Sequence, residues 1–492
     1  MWREDEGESC GEAVGRSMGI SMVNSSISYA AAIDQLNAMA PELYAGTGQS
    51  RRKFSVDEVR TLLEVVGNPQ TSFAAVLIAG TNGKGSTAAT LASILRSAGL
   101  RTGLYTSPHL ERPNERVQVC GKEIVDEDFA RLYFRVQGVA QELVQAGRLP
   151  QFPSYFELLT AMGFLYFAEE TVDIAVLEVG MGGRLDATNV VEPLLSIVTD
   201  IALDHQEWLG STITAIAREK AGILRGSGTL VTLPQHPDAN KVLGEAAAQL
   251  CMRVVSAAQY VPGRGSTGSY VVKALGGGVL VDSPLKGAHQ HRNVALAIAS
   301  AVELAERHGF NVTPTAIEEG IRRTRWPGRL ELVTKQGVDW IFDVAHNPAG
   351  AWALRAGLCG MLDGGRPDVL VFSCLRDKPV AEMAQILFPL VNKVIVAPIH
   401  TPRAAAMDEL LSAAKATGTT AVAAQSVNEA IETARKSAAH GVVVVSGSVY
   451  LVGEARSLVI DGGEAECDGR GLVHDARIQE ADPSLRAGGS SR

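Results

Sequence analysis

Apolar residues recur every three or four positions across residues 29–43, at Ala32, Leu36, Met39 and Leu43, and again across 56–66. This spacing predicts two amphipathic helices, the second started by Ser55 as N-cap. The period then changes. Ala74-Ala75-Val76-Leu77-Ile78-Ala79 is a continuous apolar run, the mark of a strand buried on both faces. It leads through a glycine-rich turn into a helical pattern over 86–98. Buried strands are expected again at 174–179 and 195–200, with helical patterns such as 155–168 between them. Alternation of this kind predicts a parallel α/β sheet. An alanine-rich helix over 293–307 closes this half. Arg325-Trp326-Pro327-Gly328-Arg329 then breaks any helix, and a domain boundary is placed there. Strands are expected beyond it at 340–344, 369–373, 393–397, 420–424 and 442–446, separated mostly by helical patterns. They predict a second, smaller α/β domain of roughly 130 residues. No internal repeat relates the halves.

A chain of 492 residues exceeds what one core usually supports, in keeping with two domains. The domains are expected at 27–325 and 326–460. The polar, weakly periodic ends, 1–26 and 461–492, are expected to be disordered. The formal net charge of −9 argues against nucleic acid as a partner. No apolar run approaches the roughly 20 residues a membrane helix needs. Residues 1–17 are acidic and glycine-rich, unlike a signal peptide. The six cysteines, Cys10, Cys120, Cys251, Cys359, Cys374 and Cys467, are scattered without a Cys-x-x-Cys pair. That fits reduced thiols in a cytoplasmic protein better than disulfides or a zinc site.

The candidate chemistry begins at Gly80-Thr81-Asn82-Gly83-Lys84-Gly85-Ser86-Thr87, between the first strand and its helix. Glycines let backbone N–H groups turn toward a phosphate, and a helix N-terminus adds a favourable dipole. Lys84 would reach the outer phosphates and Ser86 would ligate magnesium. The spacing is a shortened Gly-x-x-Gly-Lys-Gly-Ser, since Ile78 stands five residues before Gly83. The plainer alternative is a glycine turn with an exposed lysine, and the flanking strand and helix argue against it. In open α/β sheets, ligands bind at the C-terminal strand ends. Glu178 closes one strand and precedes Gly180-Met181-Gly182-Gly183-Arg184-Leu185-Asp186, a suitable place for a magnesium ligand. Asp204 and His205 follow the next strand, although a lone histidine there is more often a surface or capped residue. Asp343 and His346 repeat the arrangement in the second half, where an Asx turn is the simpler reading. Lys220, before Ala221-Gly222, reads by itself as a cation near a helix end.

Taken together the motifs resemble one family. Gly80 to Thr87, Thr106-Ser107-Pro108-His109-Leu110, Asn114-Glu115-Arg116, Tyr155-Phe156-Glu157, the segments 177–189, 203–205 and 218–223, His289-Gln290, Asn293, Pro327-Gly328-Arg329-Leu330-Glu331 and 343–348 occur in the family's order. They look like the bacterial folylpolyglutamate synthase/dihydrofolate synthase group of the Mur ligase superfamily, over about residues 28–453. The resemblance implies a P-loop-containing, parallel-sheet ATPase domain followed by a smaller Rossmann-like α/β domain. It also implies ATP-dependent ligation of glutamate to dihydropteroate or a reduced folate through an acyl phosphate, within folate biosynthesis. ATP would lie on Gly80–Thr87, with Asn293, Arg329 and Asp343 contacting it and His346 reaching over it. Ser86, Ser107, Glu178 and His205 would hold magnesium, two ions in all, with a monovalent cation as an option. Lys220 would be carbamylated and hold the second ion. Lys84, Lys220, Asp343 and His346 would serve the chemistry. Ser154, Tyr155, Leu185, Asp186 and Ala187 would line the pterin pocket, and Ser448 would lie near the amino-acid site. A monomer acting on small molecules is expected. Two features depart from the family. An Asp-Leu-Gly core is missing near Tyr44-Ala45-Gly46-Thr47-Gly48, and Val344 stands where the family often has glycine.

Two other functions compete. A cell-wall ligase of the same superfamily would carry a further N-terminal domain, and only about 75 residues precede the loop. A nucleotide-binding regulator without catalysis would be expected to lose Ser107, Glu178, His205 and Lys220, and all four are present. No Ser-His-Asp or reactive-cysteine set is found, and acyl-phosphate chemistry needs none.

Overall fold

A computed structural model describes residues 28–39, 55–263, 268–438 and 440–461. The extension 1–26, the tail beyond Asp461 and the 44–48 segment lie outside the described residues. The strands are β1 (Ala74–Ala79), β2 (Thr102–Tyr105), β3 (Val117–Val119), β4 (Lys122–Glu123), β5 (Ile174–Glu178), β6 (Leu195–Val198), β7 (Thr229–Thr232), β8 (Arg253–Ser256), β9 (Tyr270–Ala274), β10 (Gly277–Val281), β11 (Glu331–Lys335), β12 (Val338–Asp343), β13 (Val369–Phe372), β14 (Lys393–Val396), β15 (Thr420–Ala423) and β16 (Val442–Ser446). They form an eight-stranded sheet ordered β4-β3-β2-β5-β1-β6-β7-β8, the hairpin β9-β10, and a six-stranded sheet ordered β11-β12-β16-β13-β14-β15.

The alternation within β1 shows why its run is wholly apolar. Val76 and Ile78 enter one core layer, while Ala75, Leu77 and Ala79 enter the other. Both faces are covered, as parallel sheets require. In the second sheet, Leu370 and Phe372 point to one layer and Val369 and Val371 to the opposite one. Neither sheet is purely parallel. β3 and β4 pair antiparallel beside β2, because residues 106–116 are too few for a helical crossover. β11 pairs antiparallel with β12 through the two-residue turn Gln336-Gly337, both at positive φ, as a tight hairpin needs.

The expected helices are present with adjusted ends. The first is Tyr29–Ala38, and Met39 is already extended, two residues before Pro41. Ser55 stands at the N-cap of Val56–Val65 but makes no side-chain capping bond. The Lys84–Ser97 helix is buried along nearly its whole length. It crosses Pro314–Arg322 so closely that a Cβ on Gly320 would sit 2.3 Å from Ile94 Cα, and Ser93 Oγ donates to Gly320 O at 2.7 Å. No described helix is long and apolar enough to cross a membrane.

This topology brings two loop sets together. Loops after β1, β2, β5 and β6 leave the first sheet at its C-terminal edge, and those after β12, β13, β14 and β16 leave the second. The two edges face each other. Arg456, on the Val449–Asp461 helix, pairs with Glu331 at 2.9 Å and with Glu111 at 2.7 Å, tying the 107–116 loop to the second sheet. A Cβ on Gly453 would meet Leu110 O at 1.9 Å, so this helix rests directly on that loop.

Candidate active site

After β1 the chain bends against Asp200, whose carbonyl accepts N–H bonds from Thr81 (2.9 Å) and Asn82 (3.2 Å). Gly83, at φ 89°, starts the helix. A Cβ there would fall 2.2 Å from Asn293 Oδ1, so glycine is required both for the turn and for the approach of Asn293. Asn293 is oriented by its own bond to Gln290 (2.8 Å). Trp326 packs on Gly85, where a Cβ would meet the indole at 2.7 Å. Lys84 Nζ donates to Thr81 O at 3.4 Å and lies 3.9 Å from Glu178 Oε1. Its side chain is only 15% exposed, unlike the exposed lysine of a plain glycine turn.

Glu178 ends β5 as a buried carboxylate that accepts the Ser107 N–H at 3.2 Å. Burial pushes its pKa up against the pull of Lys84, the Ser107 N–H, Arg329 and Arg116. Lys220 sits in the last turn of Ile213–Ala221. It is 4% exposed and donates to Gly80 O at 2.6 Å. Burial, reinforced by Lys84, lowers its amine to about 7. The helix-end position is therefore real, but the side chain reaches inward to the phosphate loop. Asp186 is occupied locally: it accepts bonds from Thr188 N–H, the Thr188 hydroxyl and Met181 N–H. It thus shapes the 180–187 loop.

From the second sheet, Asp343 accepts Leu330 N–H and Ala345 N–H, each at 2.9 Å. The Asx turn exists as the simpler reading foresaw, and burial raises the carboxyl while Arg329 and His289 oppose this. His346 places Nδ1 3.0 Å from Val344 O and Nε2 3.4 Å from Asp204 Oδ2. Asp204 also receives Lys378 Nζ at 2.5 Å and Asn347 Nδ2 at 2.9 Å. Burial works against this carboxylate, but the His346 bond and the charges of His205, His346 and Lys378 hold it well below the usual range. Asn347 and Asn82 exchange amide bonds at 3.1 and 3.3 Å, so the phosphate loop touches the second sheet directly. His205, at φ 48°, begins a short helix, and burial lowers it to about 3.

A cavity of about 540 Å³ lies between the two edges. Ser107, Ser154, Leu185, Asp186, Ala187 and His205 line it from one side, and Arg329, His346 and Ser448 from the other. Tyr155 is not part of its wall; Arg116 lies over its ring, 5.1 Å from the centroid. Sequence reasoning missed Lys378 and Arg403, which also line the cavity. Lys378 follows β13, so the strand-end rule applied to Arg376-Asp377-Lys378 would have found it.

The donors suit magnesium. Glu178 is a buried carboxylate lacking full compensation, which a cation would supply. Ser86 and Ser107 offer hydroxyls beside the phosphate loop, and His205 offers an imidazole nitrogen. Among the described residues no group of three His, Cys, Asp or Glu side chains is placed to hold a metal ion by itself. Magnesium commonly binds through one or two carboxylates plus phosphate and water, so such a set remains adequate.

Comparison with known proteins agrees with this geometry. Residues 78–301 match the Mur ligase middle domain, and residues 328–449 match the Mur ligase glutamate ligase domain. The folylpolyglutamate synthase of Lacticaseibacillus casei is 34% identical over 431 residues, covering 85% of this chain and 96% of that protein. The dihydrofolate synthase/folylpolyglutamate synthase of Bacillus subtilis is 34% identical over 426 residues, covering 82% and 96%. The solved Mycobacterium tuberculosis folylpolyglutamate synthase complexed with ADP and AMPPCP superposes with a TM-score of 0.76 at 34% identity, covering 82% of this chain and 95% of that one.

Proposed function

We infer that this chain, which belongs to the dihydrofolate synthase/folylpolyglutamate synthase family of Mur ligases, activates its acid substrate and joins glutamate to it inside the cavity its two sheets share. The protein is an ATP-dependent, ADP-forming glutamate ligase of folate metabolism. The finer reading is that it accepts dihydropteroate, the γ-carboxylate of reduced (poly)glutamylated folates, or both. The observation that carries it is the shared cavity bounded by the 180–187 loop and Ser154 on one side and by His346 and Ser448 on the other.

The acid enters as a carboxylate, and one of its oxygens attacks the γ-phosphorus of ATP. The bond to the β–γ bridging oxygen breaks, ADP leaves, and an acyl phosphate remains. The amine of glutamate attacks the acyl carbon, the carbon–oxygen bond to phosphate breaks, and the amide forms. These steps need positioning and charge neutralisation more than a protein nucleophile. Lys84 and Arg329 would neutralise phosphate oxygens. The loop N–H groups and Asn293 would position the nucleotide, and His346 would hold the proton released by the attacking amine. Asp343, with both oxygens on backbone N–H groups, would shape the 328–346 turns that carry Arg329 and His346. Ser86, Ser107, Glu178, His205 and a carbamylated Lys220 would hold magnesium, which when bound offsets phosphate charge. A division at 325/326, a monomeric state and a cytoplasmic location complete the proposal.

Glutamate-dependent ADP release, measured with dihydropteroate and then with a reduced monoglutamyl folate, tests it. Release with neither acid refutes the substrate reading, and release with one alone assigns the activity.

A further inference from the structure

Most cations facing the cavity are answered by a protein carboxylate. Lys378 meets Asp204 at 2.5 Å, Arg184 meets Glu219 at 3.0 Å, and Arg403 meets Asp377 at 2.8 Å. Arg329 and Arg116 have no such partner among the described residues, and Arg329 donates Nη1 to Gly328 O at 3.0 Å; the freer of the two is Arg116. It lines the same cavity and is 8% exposed, yet no carboxylate of the described residues lies within the 4 Å of an ion pair. Its Nε donates to His109 Nδ1 at 2.9 Å, and its guanidinium lies over the Tyr155 ring. Neither Nη bonds to a described protein group.

Local sequence builds this arrangement. Glu115 accepts N–H bonds from Leu110, Glu111 and Arg112, each at 2.7 Å, and so folds the loop onto itself. The Pro113–Arg116 turn then delivers Arg116 to the start of β3, where its carbonyl accepts Thr106 N–H at 3.0 Å. His109 is an acceptor here: a guanidinium only donates, so the His109 Nδ1 that meets Arg116 Nε carries no proton. A carboxylate in its place would have cancelled the charge. A histidine fixes the direction of Nε and leaves the charge whole.

A buried guanidinium without an anion is costly, and a ligand that supplies one gains correspondingly. The free Nη edge is a planar pair of donors matched to a carboxylate. We propose that Arg116, aimed by His109 and Tyr155, is the binding residue for the carboxylate of the acid substrate. This deepens the proposed function and rests on it. Arg116 shares its wall with Ser107 and Ser154, and its charge is felt at Glu178 beside Lys84. The bound carboxylate therefore lies toward the phosphate loop. Arg116 offsets the repulsion between that carboxylate and the polyphosphate. It pairs next with the acyl carbonyl oxygen, and with the oxyanion formed when the amine attacks. His109 is a positioning residue.

Equilibrium binding by pterin fluorescence tests the assignment, with dihydropteroate and its neutral carboxamide analogue as probes and ADP binding measured in parallel. Arg116→Gln is expected to weaken dihydropteroate binding roughly 10- to 100-fold. Carboxamide and ADP binding should stay within about twofold of wild type. Arg116→Lys should recover part of the loss, and His109→Ala should reproduce a weaker form of the same discrimination. Unchanged dihydropteroate binding in Arg116→Gln overturns the proposal, as does equal loss of acid and carboxamide. Selective loss of ADP binding would reassign Arg116 to phosphate and overturn it too. A wild-type protein that binds neither pterin probe nor a reduced monoglutamyl folate overturns the functional reading itself, and this inference with it.

Discussion

Lys220 offers the sharpest test of the proposed chemistry. Its amine is buried against Gly80 O and lowered to about 7. At pH 7.5 such an amine is neutral in roughly three-quarters of molecules, whereas an ordinary lysine is neutral in about one in a thousand. The nucleophilic form is thus enriched several-hundred-fold. Carbon dioxide adds to the neutral amine, a nitrogen–carbon bond forms, and one proton leaves to solvent. The product is an anionic carbamate, which supplies oxygen ligands where the amine supplied none. It also places a negative charge where Lys84, whose charge opposes the protonated amine, favours one. Lys220→Ala should lower turnover at least ~100-fold, as expected for losing one charge partner of the transition state. Added acetate should restore part of it by placing a carboxylate in the vacated space. Lys220→Arg keeps a cation that cannot be carbamylated and should be as impaired as the alanine variant. Protein equilibrated with ¹³C-labelled carbon dioxide should show a carbamate carbon signal that is absent from Lys220→Ala. Full activity in Lys220→Arg, or no such signal in active wild-type protein, refutes the reasoning and leaves Lys220 as a brace for the phosphate loop.

Lys84→Ala should cost at least ~100-fold in turnover with little change in melting temperature, because its contacts are one 3.4 Å bond and a 3.9 Å ion pair; near-normal turnover would remove ATP from this loop. Glu178→Gln preserves shape but deletes an anionic oxygen, so the magnesium concentration for half-maximal activity should rise, and an unchanged titration would exclude Glu178 as a ligand. Breaking one partner of a buried pair typically costs about 3–5 kcal/mol, so Lys378→Met, which leaves Asp204 to Asn347 and His346 alone across the sheets, should loosen the contact between them. Small-angle scattering should show a larger radius for that variant without ligands, and ATP with the acid substrate should compact the wild type. Identical profiles in all states would count against closure through this contact.

What could be read from the sequence follows burial. β1, β5, β13 and β16 are apolar on both faces and stood out as continuous runs. β8 is largely exposed, with the pattern Arg253-Val254-Val255-Ser256, and β2 (Thr102-Gly103-Leu104-Tyr105) and β7 (Thr229-Leu230-Val231-Thr232) bound or interrupt a short run with threonine or glycine. Their membership in the sheet comes from neighbours, which a local pattern does not record. The β9-β10 hairpin was missed although Val272, Ala274, Val279 and Val281 alternate inward, because its strands pair only with each other. The site divides in the same way. Glycine turns and strand-end acids announce themselves through backbone geometry, so Gly80–Thr87, Glu178, Asp204 and Asp343 were all visible. What each carboxylate does depends on partners distant in the chain. Asp343 and Asp186 spend their oxygens on nearby N–H groups, while Asp204 collects Lys378, Asn347 and His346 from 140 to 175 residues away. Lys220 looked like a dipole partner and proved to be a buried amine 2.6 Å from a carbonyl 140 residues earlier. Spacing locates a group on an edge, and only the packing of the two edges determines which charges remain unanswered there. That remainder, Arg116 above all, is where an anionic substrate gains most by binding.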